Sequence, residues 1–297
     1  MNKNFIYAFI LLTLSSFFWS GNFLTGKLAF NNDLSPFKLS FFRWLLAFFI
    51  LLPFTLNDII KFFNIYKKSL NLMIFISLLG VTIFNSFTYI SLKTTLVLNS
   101  SLMASITPVL IIAFSWLIFK TKTNFLQFSG IFLSLVGACC IILNGDIYNL
   151  LNLYFIPGDI WMFIAVFSWG LYSVLINKIN SNLPKLATLE VMIFFGLIFI
   201  FPFYLIESFS HGFMPNKITD FYMISYVAIF AGIISFFCWN KGVSLIGPNR
   251  ASLFLHLIPV FSTFWAITFL NEKFSQFHII GAIFIVLGIF LSNFKRI

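Results

Sequence analysis

Leu98–Val136 reads LNSSLMASITPVLIIAFSWLIFKTKTNFLQFSGIFLSLV, and Asn249–Leu291 reads NRASLFLHLIPVFSTFWAITFLNEKFSQFHIIGAIFIVLGIFL. Laid over one another without a gap, Ser101-Leu102 falls on Ser252-Leu253, Pro108-Val109 on Pro259-Val260, Lys122 on Lys273, Gly130 on Gly281 and Gly137 on Gly288. Every pair is 151 positions apart. Leu and Val coincidences alone would count for little, but this many identities at one offset are not a chance result. Further back, Trp19 falls near Trp169 and Pro53-Phe54 near Pro202-Phe203, at offsets of 150 and 149. The repeat therefore runs through nearly the whole chain and divides it into units 1–148 and 149–297.

Both units are written for lipid. Of the 297 residues, 60% are hydrophobic and only 9% charged, with a mean hydropathy of +1.01, whereas soluble domains are about a quarter charged. Crossing a ~30 Å hydrocarbon core takes ~20 apolar residues. Such stretches lie at 5–26, 37–56, 70–92, 97–119, 125–143, 159–177, 187–206, 222–243, 250–270 and 276–294. Between them stand polar and helix-breaking clusters such as Lys67-Lys68, Asn144-Gly145-Asp146 and Pro157-Gly158-Asp159. The fold class is thus all-α and integral to the membrane, with ten spans in two repeats. Five spans per unit is an odd number, so the second unit enters the bilayer upside down. In such inverted repeats the solute site lies between the halves, and two equivalent packings give alternating access.

A formal charge of +10 would suggest nucleic acid in a soluble protein, but here the basic residues occupy short connectors. Placing the N-terminus in the cytoplasm puts Lys3, Lys61, Lys67, Lys68, Lys120, Lys122, Lys178, Lys185, Lys241, Arg250, Lys295 and Arg296 inside. That bias predicts both termini in the cytoplasm and a multi-pass protein of the cytoplasmic membrane. The first apolar stretch continues past Trp19 without a small-residue cleavage site and reads as an uncleaved span. Cys139, Cys140 and Cys238 lie in apolar runs without metal or redox spacing.

The paired segments quoted above resemble the signature regions of the EamA family in the drug/metabolite transporter superfamily. Phe41-Phe42-Arg43 is similar to an Arg-bearing pattern common there. The resemblance implies ten helices with both termini cytoplasmic, and export or exchange of amino acids or other small metabolites. It departs from the family at Thr121, which stands where Glu272 lies in the second unit and where members often carry an acid.

Polar side chains are costly in hydrocarbon and should face a cavity or each other. Ser101, Ser105 and Pro108 form one helical stripe of the fourth span, and Ser252, His256 and Pro259 the equivalent stripe of the ninth. Both prolines predict kinks that free the carbonyls of Ala104 and Leu255. His256 reads either as a cavity residue that binds solute or carries a proton, or as a packed histidine satisfied by neighbours. Trp19 and Asn22, Asn85 and Tyr89, Trp169 and Tyr172, and Trp239 and Asn240 are the further candidates for an aromatic, amide-rich chamber. Arg43 either binds a carboxylate from within or snorkels to the outer headgroups. Trp116, Trp161 and Trp265 read as interfacial anchors, Glu190 as a carboxylate at a helix start, and Gly130, Gly137, Gly281 and Gly288 as close-packing positions of a scaffold.

No DxxD, HExxH or nucleophile–base pairing appears, and the acids are spread among loops, so a membrane-embedded lipid-modifying enzyme is a distant alternative. The missing GxxxxGK[ST] loop excludes ATP-driven pumping by this chain alone. The expectation is a secondary transporter without metal or cofactor. Its partners are a small-molecule solute, the lipid bilayer and, as a candidate, protons, and it acts as a monomer or weak homodimer. An uptake carrier for a nucleotide-like or methyl-donor metabolite is the alternative within transport.

Overall fold

The computed structural model describes residues 3–31, 33–180, 182–270 and 273–293. Glu272, Lys295 and Arg296 lie outside the described residues. Ten helices are long and apolar enough to cross a membrane: α1 Lys3–Phe30, α2 Pro36–Lys61, α3 Leu70–Thr94, α4 Leu98–Phe119, α5 Phe125–Ile142, α6 Asp159–Lys178, α7 Lys185–His211, α8 Ile218–Ile246, α9 Pro248–Phe269 and α10 Gln276–Asn293. They match the ten apolar runs, with α1, α2, α7 and α8 extending several residues further into polar sequence, where the helical hydrogen-bond ladder continues beyond the apolar stretch. The starts and stops follow local chemistry. Asn124 and Gln127 form a reciprocal capping box at α5, and Gly247 at φ +84° turns the chain from α8 into α9.

The helices stack in layers. The α2/α7 pair packs on α3 and α8, with α1 and α6 inside, α4 and α9 beyond them, and the α5/α10 pair at the far end. The two units repeat part of this packing: α1 packs on α8 and α9, as α6 packs on α3 and α4. The α5/α10 and α2/α7 pairs run antiparallel. On α5 and α10 a Cβ built at Gly130 would sit 2.5 Å from Gly288 O, and one at Gly137 would sit 2.6 Å from Gly281 O. On α2 and α7, Phe41 stacks on Tyr204 at 4.3 Å while Phe48 meets Phe194. The scaffold reading of the four glycines matches this contact, since only a missing side chain lets the backbones approach so closely.

The burial pattern is that of a lipid-facing bundle. Phe54, Phe125, Phe132, Ile206 and Phe209 point outward, and behind them buried serines, threonines and asparagines lie among packed apolar side chains. Trp116 and Trp161 are outward too. Two interruptions in the ladders recur at corresponding places. α3 and α8 each contain a π-helical segment, Leu78–Ile83 and Val227–Ile234. α4 breaks at Ile106, and α9, after a first α-helical turn over Pro248–Ala251, runs as a 3₁₀ stretch over Ser252–His256, each shortly before its proline.

Candidate functional site

The broken ladders converge on a cavity of about 490 Å³. Its walls come from the C-terminal parts of α1, α3, α5 and α9 and the N-terminal parts of α4, α6 and α10, so it occupies the half of the bundle away from the N-terminus. Trp19, Asn22, Asn85, Ser101, Ser105, Trp169 and Pro259 line it, together with Lys27, Thr88, Ser262 and Asn144. At its floor the rings of Trp19 and Trp169 meet edge to face at 5.0 Å. These are the two tryptophans that correspond in the sequence repeat. Trp239 and Phe236 pack directly beneath them.

The opposite half is shut. Leu12 fills the space over Gly242, where a Cβ would lie 2.6 Å away, and Phe9 packs edge-on to Phe254 at 5.2 Å. Ser16 Oγ donates to Phe254 O at 2.6 Å, and Ser15 and Ser235 exchange bonds across α1 and α8 at 3.1 and 3.3 Å.

Behind the cavity wall a polar chain starts at Arg43. This side chain is fully buried and does not snorkel. Nη1 donates to Asn85 Oδ1 at 2.7 Å and to Tyr89 OH at 3.0 Å, and Tyr89 OH donates to Asn22 Oδ1 at 2.7 Å. Asn85 Nδ2 in turn donates to Gly80 O and Val81 O in the π-helical segment of α3. A π segment misaligns the i→i−4 ladder and leaves carbonyls open to a side chain, so that irregularity is what anchors Asn85. The guanidinium lies 4.7 Å over the Trp44 ring.

Several expected lining residues are elsewhere. His256 is buried in packing, with Nδ1 2.7 Å from Ser134 Oγ and Nε2 3.0 Å from Ser105 O. It therefore ties α9 to α5 and α4 and does not reach the cavity, which corrects the cavity-facing alternative. Arg43 and Tyr89 stand one layer behind the wall. Tyr172 donates to Asn240 Oδ1 at 2.9 Å on the closed side of the floor, and Trp239 lies below it. Pro108, read as a kink, frees the carbonyl of Ala104, and Thr107 Oγ1 donates to that oxygen at 2.6 Å. Ser105 Oγ bonds back to Ser101 O. Trp265, read as an anchor, lines the cavity instead and donates to Ser20 Oγ at 2.8 Å. Glu190 is buried, and neither carboxylate oxygen has a partner among the described residues, so the helix start alone does not account for it.

Sequence reasoning missed Lys27, Thr88 and Ser262, single polar residues in ordinary helical context. It also missed Asp159, which accepts from Thr95 Oγ1, Asn99 Nδ2 and Ile156 N and ties the start of α6 to the α3–α4 turn.

Comparison with known proteins agrees with this architecture. A protein called an uncharacterized transporter in Archaeoglobus fulgidus is 27% identical over 290 residues, covering 97% of both chains. A probable amino-acid metabolite efflux pump of Escherichia coli is 24% identical over 186 residues, 59% of this chain and 60% of its own. A solved crystal structure superposes with a TM-score of 0.75 over 98% of this chain and 96% of its own at 16% identity, a likeness of fold alone. The EamA-like transporter family matches twice, at residues 6–143 and 156–294, once for each unit of the sequence repeat. The chain is a multi-pass membrane protein that belongs to the EamA-like transporter family.

Proposed function

We propose that this chain is a secondary transporter that carries a small organic metabolite across the cytoplasmic membrane by alternating access between two inverted halves. One observation carries the reading: a cavity of about 490 Å³ reaches the central tryptophan pair from one half of the bundle, while the other half is packed shut. The volume suits a solute of amino-acid to nucleoside size. A second, smaller pocket of about 180 Å³ lies on the closed side, lined by Asn177, Lys185, Thr188, Asn240 and Ser244. Asn177 follows Lys27 by 150 positions, an offset of the repeat, so the small pocket and the large cavity share one pair of corresponding residues.

With both termini in the cytoplasm the cavity faces outward. The cargo proposed first is an amino acid or related metabolite, in export or exchange, and the name of the Escherichia coli relative supports that class. Coupling to protons through His256 loses its support, because the ring is engaged by Ser134 and Ser105 away from the cavity. The test is counterflow in proteoliposomes with labelled amino acids, monocarboxylates, nucleosides and polyamines at two pH values. Movement of no solute by correctly folded protein overturns the transporter reading.

A further inference from the structure

Several buried N–H donors around the cavity floor and the wall behind it lack an acceptor among the described residues: Arg43 Nε and Nη2 and the indole N–H groups of Trp44, Trp169 and Trp239. Among the described residues no Asp or Glu lines the cavity. The buried carboxylate of Glu190 is not the missing partner of Arg43. The register of α2 on α7, with Phe41 on Tyr204 and Phe48 meeting Phe194, sets Glu190 about ten residues, or ~15 Å, along the helix from the arginine.

Resting on the transporter reading, we propose that the solute is an organic anion whose carboxylate is taken by Asn22 Nδ2 in the field of Arg43, its apolar body lying against Trp19 and Trp169. The polarity of the wall follows from its far end. A guanidinium can only donate, so Nη1 fills Asn85 Oδ1 and supplies the Tyr89 oxygen. The Tyr89 proton then turns to Asn22, which receives it on Oδ1. Asn22 is thereby oriented with Nδ2 as its remaining group. Asn22 lines the cavity, and this amide nitrogen has no protein acceptor among the described residues. Asn85, whose two amide hydrogens go to Gly80 O and Val81 O, has no donor left for an anionic solute. Lys27 adds a cation on the same wall.

An anion entering this space exchanges hydration for fixed donors and a buried positive charge. A cation meets the same donors, a guanidinium behind them and, among the described residues, no carboxylate to pair with, so amines are disfavoured by charge and not by size. A zwitterion is an intermediate case: its carboxylate is taken and its ammonium has only neutral oxygens to face.

The counterflow panel sorts by charge. The expected movers are monocarboxylates and amino acids, with polyamines at least about tenfold poorer. For the best mover, the amine analogue lacking the carboxylate competes at least about tenfold more weakly. Asn22→Asp, which turns the donor into a second acceptor and gives Arg43 an internal counter-charge, lowers affinity for that carboxylate at least about tenfold and relaxes rejection of the amine. Asn22→Ser, which keeps a small donor, retains most of the affinity if the amide acts as a donor. A panel in which only cations move, or an Asn22→Asp protein that melts like wild type and holds the carboxylate equally well, overturns the proposal while leaving transport standing. Movement of nothing at all removes the transporter reading beneath it.

Discussion

Tyr89→Phe removes one oxygen from a ring that is completely buried. That oxygen accepts from Arg43 Nη1 at 3.0 Å and donates to Asn22 Oδ1 at 2.7 Å, so the substitution cuts the chain at its middle. A net hydrogen bond contributes about 1 kcal/mol and one to a charged group about 1.5–3 kcal/mol. Arg43 Nη1 keeps its 2.7 Å bond to Asn85, which places the total near the lower end, about 2–3 kcal/mol. At roughly 2–3 °C per kcal/mol for a chain of this size, the thermal midpoint in detergent, followed by tryptophan fluorescence, falls by about 4–9 °C. Tyr226→Phe is the matched control. Its hydroxyl bonds to the Phe18 carbonyl at 3.1 Å in a half-buried position, so its loss costs about 1 kcal/mol. Solute affinity separates the network from plain packing. Without Tyr89 OH, Asn22 is free to turn its amide over and show Oδ1 to the cavity, so affinity for a carboxylate falls with Tyr89→Phe and not with Tyr226→Phe. A Tyr89→Phe protein with wild-type melting and affinity would refute the network.

Gly137→Ala places a Cβ 2.6 Å from Gly281 O and 2.9 Å from Ile285 N, and overpacking of this kind costs about 1–3 kcal/mol. Gly281→Ala, which meets Gly137 O at 2.6 Å, lowers the midpoint by a similar amount. His256→Ala loses contacts to Ser134 and Ser105 and destabilises by about 2–4 kcal/mol, while the pH profile of transport keeps its shape, as flux at two pH values checks. Glu190→Gln leaves the midpoint unchanged or raises it, because a buried carboxylate without a partner does not stabilise the fold in this conformation.

The ten spans and the repeat were legible because lipid imposes a minimum apolar length, and because matched prolines and glycines survive where hydrophobic identities are interchangeable. The kinks at Pro108 and Pro259 follow from the proline ring alone. The direction of His256 was not legible. The stripe of Ser252, His256 and Pro259 assumes 3.6 residues per turn, but the chain over Ser252–His256 is 3₁₀. At three residues per turn each step rotates ~20° further, about 80° over four steps, and turns the ring from the cavity towards α5. The π segment of α3 has the opposite effect ahead of Asn85 and Tyr89. Arg43, Asn85, Tyr89 and Asn22 could each be singled out as polar residues in apolar helices. Their order in one chain could not, because it depends on how α1, α2 and α3 pack.

A residue and its counterpart in a two-fold repeat can touch only near the axis that relates the copies. Trp19 with Trp169, and Ser105 with His256, make such contacts. On this reading they trace the axis through the cavity floor, and the asymmetry around that floor records which state the structure is in. Trp19 Nε1 donates to Ala231 O in the π segment of α8 at 3.0 Å, while Trp169 Nε1 has no acceptor among the described residues. The counterpart of Ala231, 150 positions earlier, is Val81 in the π segment of α3. Exchanging the halves therefore gives Trp169 a bond to Val81 O and takes the bond to Ala231 from Trp19. Trp19→Phe weakens the present state by about 1 kcal/mol, a factor of about five in population, and Trp169→Phe weakens the opposite one. A cysteine at Ser262, in a background with Cys139, Cys140 and Cys238 replaced by serine, reports access to the cavity. Its labelling slows in Trp19→Phe and is unchanged or faster in Trp169→Phe. Equal slowing in both, or the reverse order, means that the two indoles do not alternate and that the shared floor is not where the halves exchange roles.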